Sequence, residues 1–115
     1  MGNLIRLENK IFFNNSTSEL IGLGSTSISK AIDYTAIDGD FVLVTTAAVN
    51  VTITLPPVAT SIDSIITIKK VDSGAANVII DGNAAELIDG AATQTITTQW
   101  TSITIQSDGV SWFIK

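Results

Sequence analysis

The chain has 115 residues with 6 basic and 11 acidic side chains, a net charge of −5, and neither cysteine nor histidine. These absences exclude a disulfide framework, thiolate metal sites and a cysteine nucleophile, and they remove the usual general base and the commonest transition-metal ligand. Six scattered cations make no phosphate-binding patch, so nucleic acid is not expected as a partner.

Hydrophobic residues make up 45% of the chain and charged residues only 15%. No apolar run approaches the roughly 18–20 residues of a membrane span, so a membrane is not expected either. Burial against other protein chains is the expected use of the surplus apolar surface. Counting gives 18 Ile, 15 Thr and 8 Val, more than a third of the residues. Such β-branched side chains suit a pleated sheet and disfavour helix, so the fold class is all-β.

Residues 1–32 read as an extended N-terminal arm with one to three short strands. Leu4, Ile5, Leu7, Ile11, Phe12 and Phe13 crowd its first half. Asn14 to Ser18 and Ser25 to Ser29 are polar, and turn residues recur too often for a helix. Six large apolar groups in so short a stretch require cover, and docking on another protein is the expected role. Extra strands of the same domain, or exchange between copies, are the alternatives. Arg6, Glu8 and Lys10 interrupt any apolar leader core, so no signal peptide is expected.

Residues 33–115 read as one β-domain, an antiparallel sandwich or barrel. Phe41 to Val44 is a short apolar strand. From Val49 to Leu55 the chain alternates strictly, with Val49, Val51, Ile53 and Leu55 on one face. Pro56-Pro57 ends that strand, since proline donates no ladder hydrogen bond. Ile65 to Val71, Asn77 to Ile80, Glu86 to Ile88 and Thr95 to Thr98 follow as strands. Thr101 to Gln106 pairs with Ser111 to Lys115 through a link carrying Asp108-Gly109, a strong hairpin signal. No solenoid-type sequence repeat is visible. Lys69-Lys70, the one basic pair, reads as an edge strand guarded by lysine.

Four Asp-Gly pairs, at Asp38, Asp81, Asp89 and Asp108, are the first candidates for chemistry. None sits in an alternating-ligand loop closed by a bidentate Glu, so they read as turns rather than calcium sites. Paired carboxylates can hydrolyse glycosides, but seven scattered aromatics do not announce a substrate cleft. No catalytic residue, metal or cofactor is expected, and the chain does not read as an enzyme.

The order of motifs carries a resemblance. Asp33-Tyr34-Thr35, Asp38-Gly39 and Val42 to Thr46 open it; Val51 to Pro56, Ile66 to Lys70 with Asp72-Ser73, and Val78 to Gly82 continue it; Ile88 to Ala91, Ser107 to Gly109 and Ser111-Trp112 close it. This pattern resembles the small β-domain of tailed-bacteriophage virion proteins: capsid decoration proteins, head fibres and tail-fibre segments. The resemblance implies a homotrimer with a structural role. With only a short preface before the domain, the chain is more like a stand-alone capsid decoration (cement) protein. Such a protein is made in the host cytoplasm, sits on the outer capsid surface and has the major capsid protein as its partner. A head-fibre base, or a tail-fibre or spike module binding a receptor or glycan, is the alternative. In a trimer, Trp100 and Trp112 are candidate interface anchors, with core packing as the other reading.

Overall fold

The computed structural model describes residues 26–115. Nine strands and one short 3-10 turn at Val58–Thr60 make up their regular structure. The strands are β1 (Thr26–Lys30), β2 (Tyr34–Thr35), β3 (Asp40–Val44), β4 (Val51–Thr54), β5 (Ile65–Lys70), β6 (Val78–Asp81), β7 (Thr93–Ile96), β8 (Ser102–Ser107) and β9 (Trp112–Ile114). The all-β expectation is met.

The first six strands alternate between two sheets. One sheet has the order β1-β3-β5-β8-β9 and the other β2-β4-β6-β7. Within the coil so formed, β1, β3 and β5 run parallel, as do β2, β4 and β6. The chain then turns back: β7 pairs antiparallel with β6, β8 with β5, and β9 with β8. The expected antiparallel sandwich or barrel is therefore corrected to two open, mixed sheets. The physical reason is that alternation reports which face of a strand is buried, not the direction of its neighbour. Parallel neighbours need a crossover, and here a strand of the opposite sheet supplies it.

Alternation builds the core. Val42 and Val44 of β3, Val51 and Ile53 of β4, Ile66 and Ile68 of β5, Val78 and Ile80 of β6, and Ile105 of β8 all point between the sheets and are buried. Leu55, Ile88, Ile96 and Trp112 complete the same cluster. Val49, expected on the inner face, is instead 67% exposed because β4 begins only at Val51. Glu86 to Ile88 is no strand; Ile88 makes isolated bridges to Ala91 and Trp112. Thr26–Lys30, within the stretch read as an arm, pairs with β3 and packs Ile28 against the core. Leu4, Ile5, Leu7, Ile11, Phe12 and Phe13 lie outside the described residues.

Side chains tie successive turns of the coil together. Asp33 accepts the Thr52 N–H at 2.9 Å, and the Asn50 carboxamide oxygen accepts the Asn77 N–H at 2.8 Å. These bonds satisfy corner backbone that no ladder reaches. Asp89 and Gly90 both have positive φ, 48° and 82°, and form a two-residue turn closed by Ile88 and Ala91. Such turns favour Asp-Gly because both central residues are left-handed. At Asp81-Gly82 the reason for glycine is different: an added Cβ would collide with the Glu86 carbonyl.

Candidate functional site

Of the four aspartates that precede glycine, Asp89 accepts the Ile114 N–H at 3.1 Å and Asp108 caps a turn, while Asp38 is exposed. Asp40, on β3, accepts the Tyr34 hydroxyl at 2.7 Å and the Ile37 N–H at 3.0 Å. Burial, then the hydrogen bond to Asp40 and its negative charge, push the Tyr34 phenol up to about 12. Lys30 places its ammonium 4.4 Å from the centre of the same ring. Asp108 caps the β8–β9 turn, accepting the Val110 and Ser111 N–H groups at 2.8 and 2.9 Å. The Ser111 and Val110 bonds hold its carboxyl below the usual range. These are the turn roles expected of Asp beside Gly. Among the described residues no group of three or more acidic side chains is placed to hold a metal ion.

Lys70 departs from its expected role. The strand that carries it lies in the middle of the five-stranded sheet, between β3 and β8, and Lys70 is fully buried. It is therefore no guard of a sheet edge. The alternation that sends Ile66 and Ile68 inward sends Lys70 inward too. Its ammonium donates to Asp72 Oδ1, the Asp72 carbonyl, the Gly74 carbonyl and the Thr46 hydroxyl, at 2.9–3.2 Å. Asp72 in turn accepts the N–H groups of Thr46, Ala47 and Gly74. The Thr46 bond above all, then the Lys70 ammonium, holds the Asp72 carboxyl well below the usual carboxylate range. A fully bonded charge pair of this kind fixes the β3–β4 corner to the β5–β6 corner.

The two tryptophans have different fates. Trp112 has no exposed surface and lies in the core, which corrects its assignment as a subunit anchor: a side chain enclosed by its own chain has no face left for a partner. Its indole N–H finds no acceptor among the described residues. Trp100 is 62% exposed. Its backbone is left-handed, with φ of 69°, an unusual conformation for a bulky residue. Reciprocal bonds hold it there: the Trp100 N–H donates to the Lys70 carbonyl at 2.7 Å, and the Lys70 N–H to the Thr101 carbonyl at 3.1 Å. Lys69 lies beside the ring, 6.0 Å from its centre.

Apolar side chains also stand on the surface. The outer face of the five-stranded sheet carries Phe41 and Leu43 on β3, Ile65 on β5 and Phe113 on β9, opposite the buried set. Ile65, Gln106 and Phe113 form one cross-strand row by register. That row borders a shallow groove of about 310 Å³ lined by Asp63, Gln106, Ser107, Asp108, Phe113 and Lys115. A second cleft, of about 410 Å³, lies at the coil corners beside Ile32 and Val49. Neither was legible in the sequence, because each joins segments whose adjacency depends on strand order. The Asp108-Gly109 hairpin was the only pointer to the first.

Compared with protein-family models and with curated proteins, the chain matches none.

Proposed function

We propose that the chain is a non-enzymatic structural protein of a tailed-bacteriophage virion, a capsid decoration protein that binds the outer shell as a homotrimer and stabilises it. The observation that carries this reading is the division of labour among side chains. Asp40, Lys70, Asp72 and Asp108 are engaged in bonds within the chain, whereas Ile32, Ile37, Val49, Ile62, Trp100 and Val110 are each more than 60% exposed. Large apolar groups in solvent favour association, and carboxylates and an ammonium bonded within their own chain serve structure rather than catalysis. The motif order of residues 33–115 supplies the phage context.

In this reading Trp100 contributes to the contact between copies. The arm residues Leu4, Ile5, Leu7, Ile11, Phe12 and Phe13 grip the major capsid protein. A ligand that binds the assembled shell, and not its separated subunits, stabilises assembly by mass action. Three arms on one trimer make each further contact effectively intramolecular. The test is co-sedimentation of the full chain, and of a chain lacking residues 1–25, with purified shells. The full chain should pellet with shells and raise their melting temperature, while the shortened chain should stay a trimer in the supernatant. Equal pelleting of both would overturn the assigned role of the arm, and failure of the full chain to pellet would overturn shell binding.

A further inference from the structure

The groove beside Phe113 has the makings of a ligand site. Its floor rests on regular structure: Gln106 and Ser107 end β8, and Phe113 lies on β9, paired with Gln106. One wall is locked to that floor by two backbone bonds, from the Asp63 N–H to the Ser107 carbonyl at 2.9 Å and from the Ser107 N–H to the Ser64 carbonyl at 3.1 Å. Asp63 holds a left-handed φ of 62°, an outlier that the surrounding bonds maintain. The Gln106 amide donates to the Asp63 carbonyl at 3.4 Å, a long bond that an incoming acceptor can replace. Both bonds of the Asp108 cap run to Oδ1, which leaves Oδ2 outside the bonds of the cap.

The lining selects a class of ligand. Phe113 is 46% exposed and presents an aromatic face. Around it stand two carboxylates, Asp63 and Asp108, as acceptors, and the Gln106 amide and Lys115 ammonium as donors. Two acids against one base disfavour phosphates and other anions. A neutral sugar ring matches what remains. Its C–H face packs on an aromatic ring, and each hydroxyl both donates and accepts, so a mixed rim satisfies it. The groove is shallow and open, with room for one ring against Phe113.

We propose that this groove is a saccharide-binding site that takes one neutral hexopyranose ring against Phe113, with Asp63, Gln106 and Asp108 bonded to its hydroxyls. The site lies at the Ser107 end of β8, whereas Trp100 precedes the opposite end. The ligand is the exposed sugar of a surface glycan.

The experiment is an amide-detected NMR titration of the full chain with methyl glucoside, methyl galactoside and N-acetylglucosamine, each in turn. At least one should give saturable shifts centred on Gln106, Ser107, Gly109 and Phe113. Phe113→Ala should weaken that sugar about tenfold, the scale of a lost aromatic contact with its buried area. Asp63→Asn should weaken it as well and keeps a residue tolerant of left-handed φ. Trp100→Ala should leave it unchanged. No saturable shift at these amides with any of the three sugars would overturn the proposal, as would unchanged affinity in Phe113→Ala. Should that variant fail to fold, unchanged affinity in Asp63→Asn would overturn it alone.

Discussion

The Lys70 ammonium, fully buried, lies 3.0 Å from the Asp72 carboxylate and is the polar hinge between two corners of the coil. Removing the acid leaves an ammonium enclosed without its counter-charge, which is far worse than never having had the pair. Asp72→Ala should therefore lower the melting temperature much more than Lys70→Met, which replaces the buried charge with an apolar chain of similar length. Thermal melts of both variants, with Asp38→Asn as a surface control, check the order. Losses in both variants no larger than that of the control would mean that the pair is structurally idle.

Acid should unfold the protein by a defined route. Asp72 and Asp108 both have carboxyls held below their ordinary values in the folded state. A depressed folded value contributes stability that is present above the unfolded value, about 3.9, and is lost as pH falls toward the folded one. Stability should hold between neutral pH and about 5, then fall below about 4. In Asp72→Asn the slope below pH 4 should be shallower, as measured by denaturant midpoints across that range.

Alkali offers the converse case at Tyr34, the single tyrosine of the chain. Its phenol is pushed up to about 12 in the folded protein. A raised folded value gives stability that is complete below the unfolded value, about 10, and lost as pH rises through the folded one. The phenolate absorbance of the native protein should titrate with a midpoint near 12, and that of the denatured protein near 10. Asp40→Asn should bring the native midpoint down, since the acceptor charge is gone.

Much of this arrangement could be read from the residues. Alternation at Val51, Ile53 and Leu55 marked an inner face, and that face is buried. Asp-Gly at 89–90 and 108–109 marked turns, and left-handed glycines stand there. The parallel coil was hidden, because Thr26 pairs with Asp40 and Phe41 with Thr67 across unequal spacings that leave no sequence repeat. Lys70 was misplaced for the same reason: a lysine in a strand suggests an edge until the strand order encloses β5 between β3 and β8 and brings Thr46 to the ammonium. The groove beside Phe113 depends on the approach of Asp63 to Ser107, forty-four positions apart, which no local pattern encodes.

The two tryptophans should separate cleanly in solution. Trp112 is enclosed and Trp100 exposed, so a soluble quencher should remove roughly half of the native fluorescence, leaving that of Trp112, if the two rings emit comparably. Trp112→Ala should cost about 3–5 kcal/mol, as aromatic-to-alanine changes in cores do. Trp112→Phe should cost much less, because the lost indole N–H had no acceptor among the described residues. Trp100→Ala should leave the monomer's unfolding free energy within about 0.5 kcal/mol while weakening the trimer. Sedimentation equilibrium gives the second part, and an unchanged trimer would remove Trp100 from the interface.

The copy number of the chain in purified virions tests most directly where it works. A protein that decorates the capsid shell should be present in hundreds of copies per particle, in a fixed ratio to the major capsid protein on a stained gel. A count in the single digits or low tens would place it in the tail and contradict the decoration role.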